Sequence, residues 1–236
     1  MAPVTEFVQL PINPDAAPEA VASAIQANIA TLLAQPGCQR VRSSRVHEDT
    51  SKLRLFADWE SLDAHRAFAS NAAVYGPFQQ RMGPIIDTSS FGPANPRRPP
   101  YHVAFKAWPP VALNGGDKGG SPVAEVLLMY FPSDISESTM SSHEATTNDF
   151  LGKLGKAATG MTGEIALGWT VEKDVLFKGE PSRVLVAVVG WTSVDAHLKT
   201  RDTEEFKQLI PMIRGLESLK GMELCHVSNT TFESSN

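Results

Sequence analysis

Six histidines are the side chains of this chain best placed to move protons near neutral pH, because imidazole changes charge there. Two of them stand in a repeated setting. Trp59-Glu60-Ser61-Leu62-Asp63-Ala64-His65 returns as Trp191-Thr192-Ser193-Val194-Asp195-Ala196-His197, with Trp, Ser, Asp, Ala and His in register. His65 and His197 each suit a general base, or a hydrogen-bond donor to a phenolic ligand. The same spacing also suits a structural histidine that bridges a helix and a strand. His143 shares a helical face with Met140, Thr147, Phe150, Leu151 and Leu154, so it should point inward. There it either meets a core hydroxyl or carbonyl or lines a cavity, since a buried polar group needs a partner. His102 and His226 lie in matching His-Val segments. Strand alternation aims each at one face: the interior, where it could act as acid or base, or solvent, where it would be inert. His47 sits beside Glu48 and Asp49 and reads as part of a solvated turn.

Other chemistries find little footing. No two histidines have the close spacing of a metal site, and no acidic ligand is clearly placed beside them. The pairs Gly115-Gly116 and Gly119-Gly120 lack the strand and helix of a phosphate loop. No Gly-x-Ser-x-Gly elbow occurs. Cys38 and Cys225 are too few for a disulfide framework and read as reduced. A net charge of −5 with no basic cluster gives no reason to expect nucleic acid. No run of eighteen apolar residues could span a membrane, and Met1–Phe7 has no signal-peptide core, so the expected setting is cytoplasmic.

The elements that must position these residues repeat as well. Half one reads as a strand (Thr5 to Leu10), a helix (Pro18 to Gln35) with Val21, Ile25, Ile29, Leu32 and Leu33 on one face, and strands near Gln39 to His47 and Lys52 to Trp59. A helix in pieces follows to about Met82, then a last strand, Tyr101 to Trp108. Half two repeats the order with strand Val123 to Phe131, helix Ser136 to Ala158, strands Glu164 to Lys173 and Arg183 to Trp191, helix from Ser193 to His197 and from Glu204 to Leu216, and strand Gly221 to Ser228. Half one carries an extra Gly/Pro-rich loop, Ser89 to Pro100. Pro109 to Pro122 reads as a flexible or loop-like linker. The units are therefore 1–108 and 123–236, joined by 109–122.

Each half has the β-α-β-β-α-β order of a ferredoxin-like unit, an α+β fold. Such a sheet has helices on one face, and its other apolar face needs cover. The second copy can supply it. Val184 to Val189 is apolar on both parities, as a strand buried on both sides should be. Two such sheets packed face to face would form an intramolecular barrel.

The Trp-x-Ser-x-Asp-Ala-His pattern at the end of the third strand resembles the antibiotic-biosynthesis-type monooxygenases of the dimeric α/β-barrel superfamily. That superfamily also includes stress-responsive barrels, haem-degrading monooxygenases and polyketide cyclases. The resemblance implies a small-molecule pocket between helices and sheet in each half, with Trp59 and Trp191 on its wall. In the family's cofactor-free quinol oxygenases an Asn precedes that Trp by four residues. Here those positions are Leu55 and Ala187. The haem-degrading members use an axial His on a helix together with an Asn, a pair that does not stand out here.

Trp59, Tyr75, Phe78 and Leu55 would line the first pocket. Trp191, Phe206, Met140, Phe150 and His143 would line the second. Trp108 and Trp169 read as packing residues. The lining suits a planar aromatic or polyketide-like ligand. Because the halves differ outside the heptapeptide, one pocket is expected to be functional and the other filled, and His143 points to half two as the functional one. The expected activity is cofactor-independent monooxygenation, or acid–base cyclisation or isomerisation, in secondary metabolism. It would be carried by His143, His197 or His65, with no metal. The competing expectation is a non-catalytic stress-response or ligand-carrying barrel. A fused pseudo-dimer needs no partner to close its barrel, yet it could still form a homodimer through outer edges.

Overall fold

The structure is a computed structural model, and it describes residues 2–92 and 98–234. The expected Ser89 to Pro100 loop therefore falls partly outside the described residues. Half one consists of β1 (Val4–Pro11), α1 (Pro18–Leu33), β2 (Cys38–Arg45), β3 (Lys52–Trp59), α2 (Leu62–Ser70), α3 (Ala72–Met82) and β4 (Tyr101–Phe105). Half two consists of β5 (Val123–Pro132), α4 (Glu137–Ala157), β6 (Met161–Thr170), β7 (Val175–Phe177), β8 (Glu180–Trp191), α5 (Val194–Arg201), α6 (Glu204–Leu209), α7 (Pro211–Arg214), β9 (Gly221–Val227) and β10 (Thr230–Glu233). The helix expected over Glu204 to Leu216 breaks at Pro211, whose ring cannot continue the preceding hydrogen-bond ladder.

The ten strands form one sheet in the order β10-β2-β3-β1-β4-β6-β8-β5-β9, with β7 as a hairpin extension of β8. β4 joins β6 through Val103 opposite Thr170, so the last strand of half one meets the second strand of half two. The reciprocal seam is made by β10 on β2 and by a bridge between Val46 and Val227. The sheet thus curls back on itself as a barrel with a pseudo-twofold axis, and among the described residues no long apolar edge is left unpaired.

Alternation sorts each strand into an inner and an outer face. On β3, Phe56 and Asp58 face the barrel interior, whereas Leu55, Ala57 and Trp59 face the helices. The interior is closed by Phe7, Phe56, Val103, Val126, Val186 and Val188 from both halves. β8 is buried on both faces from Val184 to Trp191, as its unbroken apolar run required. The Pro109 to Pro122 connection is not loose chain. Ala112 and Leu113 are buried in the barrel interior, and Asn114 accepts a hydrogen bond from the buried Arg42 at 2.7 Å.

The helix layers of the two halves differ. In half two a single continuous apolar cluster joins Phe150, Leu151 and Leu154 of α4 to β5, β6 and β8. In half one the layer separates into two clusters. Ile29, Leu32, Trp59 and Phe68 belong to one; Val21, Leu55, Met82 and Ile85 belong to the other. α1 buries Val21, Asn28, Ile29 and Leu32, whereas α4 buries His143, Thr147, Phe150, Leu151 and Leu154.

Candidate active site

The repeated heptapeptide performs the same set of tasks twice. Trp59 and Trp191 end β3 and β8, fully buried, and their indole Nε1–H groups donate to Glu6 at 3.1 Å and to Glu125 at 2.8 Å. Ser61 and Ser193 cap the next helix, each accepting from the backbone N–H three residues on. Asp63 and Asp195 lie in the first turn, where the helix dipole favours a carboxylate. Ala64 and Ala196 must be small because Gly37 and Gly160 press against them. A Cβ on either glycine would lie 2.7 Å and 2.5 Å from those alanine methyls. The final histidine then points back under the helix to the sheet.

There it joins a chain of titratable groups drawn from both halves. The Glu172 carboxylate, just beyond β6, accepts the His102 backbone N–H at 2.8 Å and meets His102 Nδ1 at 2.7 Å. His102 Nε2 is 2.8 Å from His65 Nδ1, and His65 Nε2 is 3.5 Å from Glu6 Oε1. The copy in half two has the same order. Glu48, from half one, holds the His226 backbone N–H at 3.0 Å and its ring Nδ1. His226 Nε2 is 2.6 Å from His197 Nδ1, and His197 Nε2 is 3.5 Å from Glu125. Each site is therefore completed by a glutamate of the other half.

Electrostatics set the direction of the chain. Burial works against the charge of Glu172 and Glu48, but hydrogen bonds from the His102 and His226 rings and backbone N–H groups outweigh it and hold both below the usual carboxylate range. An ionised Glu172 accepts a hydrogen bond from His102 Nδ1–H. That makes His102 Nε2 the acceptor and His65 Nδ1 the donor, and it leaves a lone pair on His65 Nε2. Burial, partly offset by Glu6, lowers the His65 pKa and favours this neutral form. In half two, burial and the neighbouring His226 depress His197 to about 3, and burial raises Glu125 to about 7.

A cavity of about 380 Å³ lies between the half-one sheet and its helices and reaches both Glu6 and His65. Leu55, Phe68, Tyr75, Phe78 and Met82 give it a largely apolar, aromatic lining. Tyr75 and Phe78, expected in the first pocket, both line this cavity. The equivalent space in half two, which reaches Glu125 and His197 past Phe150 and Phe206, is about 170 Å³. The roomier pocket is in half one, opposite to the expectation built on His143. His143 touches neither cavity. Its Nε2 is 2.9 Å from the Glu217 carbonyl, its ring packs on Phe131, and it borders a separate groove beside α7. Met140 packs against the half-two core rather than lining the 170 Å³ space. Trp59 and Trp191 are not pocket walls. They lie behind the site, with ring centroids 5.2 Å and 4.7 Å from His65 and His197.

The four glutamates escaped the sequence reading. Glu6 and Glu125 occupy equivalent outward positions of β1 and β5, and alignment of Thr5-Glu6-Phe7 with Ala124-Glu125-Val126 is the signal that could have found them. Glu48 reads as part of a solvated turn, but His226 reaches it across the seam. Glu6, His65 and His102 also place three ligand atoms within 4.8 Å of one another, a grouping that separations of 37 residues and more had hidden. A cation there would have to replace the proton shared between the two histidines, so the donor set serves a relay as it stands.

Residues 3–75 match the antibiotic biosynthesis monooxygenase family. The whole chain is similar in fold to an anthrone oxidase-like protein, at 13% identity and a TM-score of 0.62, covering 100% of this chain and 95% of the other. A candidate monooxygenase of Fusobacterium nucleatum subsp. nucleatum is similar at 10% identity and a TM-score of 0.60, over 100% and 95% of the two chains. A candidate chlorite dismutase is similar at 9% identity and a TM-score of 0.53, over 96% and 95%. No curated protein matches the chain by sequence. Neighbours named for such different reactions share an architecture, which does not select a chemistry.

Proposed function

For a chain that carries an antibiotic biosynthesis monooxygenase domain at residues 3–75 and folds throughout as a tandem dimeric α/β barrel, we propose an enzyme that removes a proton from a flat aromatic or polyketide-type molecule held in the half-one cavity. The observation that carries this reading is the meeting of an apolar, aromatic cavity with the lone pair of His65 Nε2. The substrate's acidic O–H or C–H gives its proton to Nε2. The Nδ1 proton of His65 passes to His102, and that of His102 Nδ1 to Glu172, whose side chain is 27% exposed and can release it to water. The dry lining around the ring keeps the resulting anion reactive. With molecular oxygen as co-reactant, the anion is oxidised by forming a C–O bond. With an internal carbonyl as partner, it closes a ring. Both outcomes need only side chains to begin.

Anthrone is the test compound, because its central CH₂ is acidic and the molecule is flat and tricyclic. With one O₂ it would yield anthraquinone and one water, followed by absorbance. Wild-type protein should accelerate the reaction, and His65→Gln should lose about 10²–10⁴-fold of the rate. The acid limb of the pH profile should lie below 6.5, following the lowered His65 pKa. An unaltered rate in H65Q would contradict the reading. The alternative of a non-catalytic ligand-binding barrel draws support from half two, where the same relay persists beside a smaller cavity. Binding of anthrone without turnover would favour it.

A further inference from the structure

A second cavity, of about 280 Å³, opens at one end of the barrel on the inner side of the sheet. Its charged lining residues cancel in pairs, with one exception. Lys52 meets Asp49 at 2.9 Å, and Arg98 grips Glu223 through two bonds of 2.6 and 2.8 Å. Glu48 is engaged by His226. Arg54, which points inward from β3, is left over. It is only 6% exposed, yet it forms no ion pair among the described residues. Its Nε has no hydrogen-bond partner, and Nη2 donates only to the Cys225 thiol at 3.8 Å. The neighbouring Tyr101 hydroxyl is buried beside the same guanidinium but is not aligned with it in a regular hydrogen bond.

A buried guanidinium without an anion is costly, and its planar fork matches a carboxylate in two parallel hydrogen bonds. The wall is otherwise mostly polar, and Val46, Val126 and Leu128 belong to its apolar part. We propose that this barrel-end cavity binds a small carboxylic acid, its carboxylate on Arg54 and its apolar body against Val126 and Leu128. The site lies on the opposite face of the sheet from His65 and does not depend on the reaction assigned there, although Phe91 and Arg98 line both cavities.

Sodium benzoate is the probe, with benzyl alcohol as a neutral analogue of similar shape and inorganic phosphate as an anion without an apolar body. Benzoate should raise the melting temperature of the wild-type chain saturably, and the other two should not. Calorimetric benzoate affinity should fall ~10-fold or more in Arg54→Met, and less in Arg54→Lys, which keeps the charge but not the fork. Val8→Trp, which fills the half-one cavity, should keep the benzoate response, so failure here is separable from failure of the His65 reading. The assignment is overturned if wild-type protein ignores benzoate, or if phosphate or benzyl alcohol matches it. It is also overturned if R54M binds benzoate as well as wild type, or if V8W abolishes the response. The three wild-type titrations decide the matter even if R54M does not fold.

Discussion

At the scale of single residues, half two is the control for half one, because it carries the same relay where little ligand space remains. Its last two groups, His197 and Glu125, titrate abnormally in opposite senses. Glu125, raised to about 7, favours the folded state at low pH, and that contribution is lost as pH rises from the ordinary 4.5 through 7. His197, depressed to about 3, favours folding above its ordinary 6.5, and that contribution is lost as pH falls toward 3. Over the shared span the two partly cancel. Glu125→Gln removes one and leaves the other, so its melting temperature should drop more steeply than wild type between pH 6.5 and 4.5. Parallel wild-type and E125Q curves would show that the pair is not set as described. The histidines of this arrangement were legible because they recur in register. The glutamates were not, because Glu172 and Glu48 reach their histidines only after the two halves have met.

At the scale of elements, the heptapeptide is a device for setting one helix close against one strand end. Gly160 and Ala196 touch because anything larger would push α5, and His197 with it, away from β8. Gly160→Ala would bring a new methyl to 2.5 Å from the Ala196 Cβ, and overpacking of this kind costs about 1–3 kcal/mol. Urea denaturation should record that loss, and G160A combined with Ala196→Gly should recover part of it. Equal stability in G160A would mean that the helix position is not set by this contact. Strands and helices were readable from their periodicities, as was the doubly buried β8. The hairpin strand β7 and the terminal β10 were missed, since each is three or four residues long and too short for a period to show. The size of the pockets was also hidden. It depends on how α1 and α4 fill their layers, and the inward-facing His143 borders a groove outside both cavities.

At the scale of the whole molecule, the barrel is held by apolar packing around one buried polar knot. Arg42 pairs with Asp58 through bonds of 3.0 and 2.9 Å, Thr5 donates to Asp58 at 2.8 Å, and the inter-half connection reaches in through Asn114. Both members of the ion pair are fully buried, so Asp58→Ala would strand the guanidinium at a cost of about 3–5 kcal/mol. A melting temperature near wild type in D58A would refute that placement. The pseudo-twofold arrangement was inferable from the repeat and from the need to cover each sheet's bare face, whereas the packed state of the 109–122 connection was not. Its glycines and prolines describe a chain that turns often, which a buried plug does as readily as a loose tether. The central claim is that two matching sites share one barrel and only the first has room for a ligand. Val8 and Leu127 are equivalent wall positions of the two cavities. Isothermal titration of wild type, Val8→Trp and Leu127→Trp with the tricyclic probe tests this most directly. One binding event per chain, abolished in V8W and retained in L127W, is the expected result. Binding that survives V8W and disappears in L127W, or two events per chain, would contradict it.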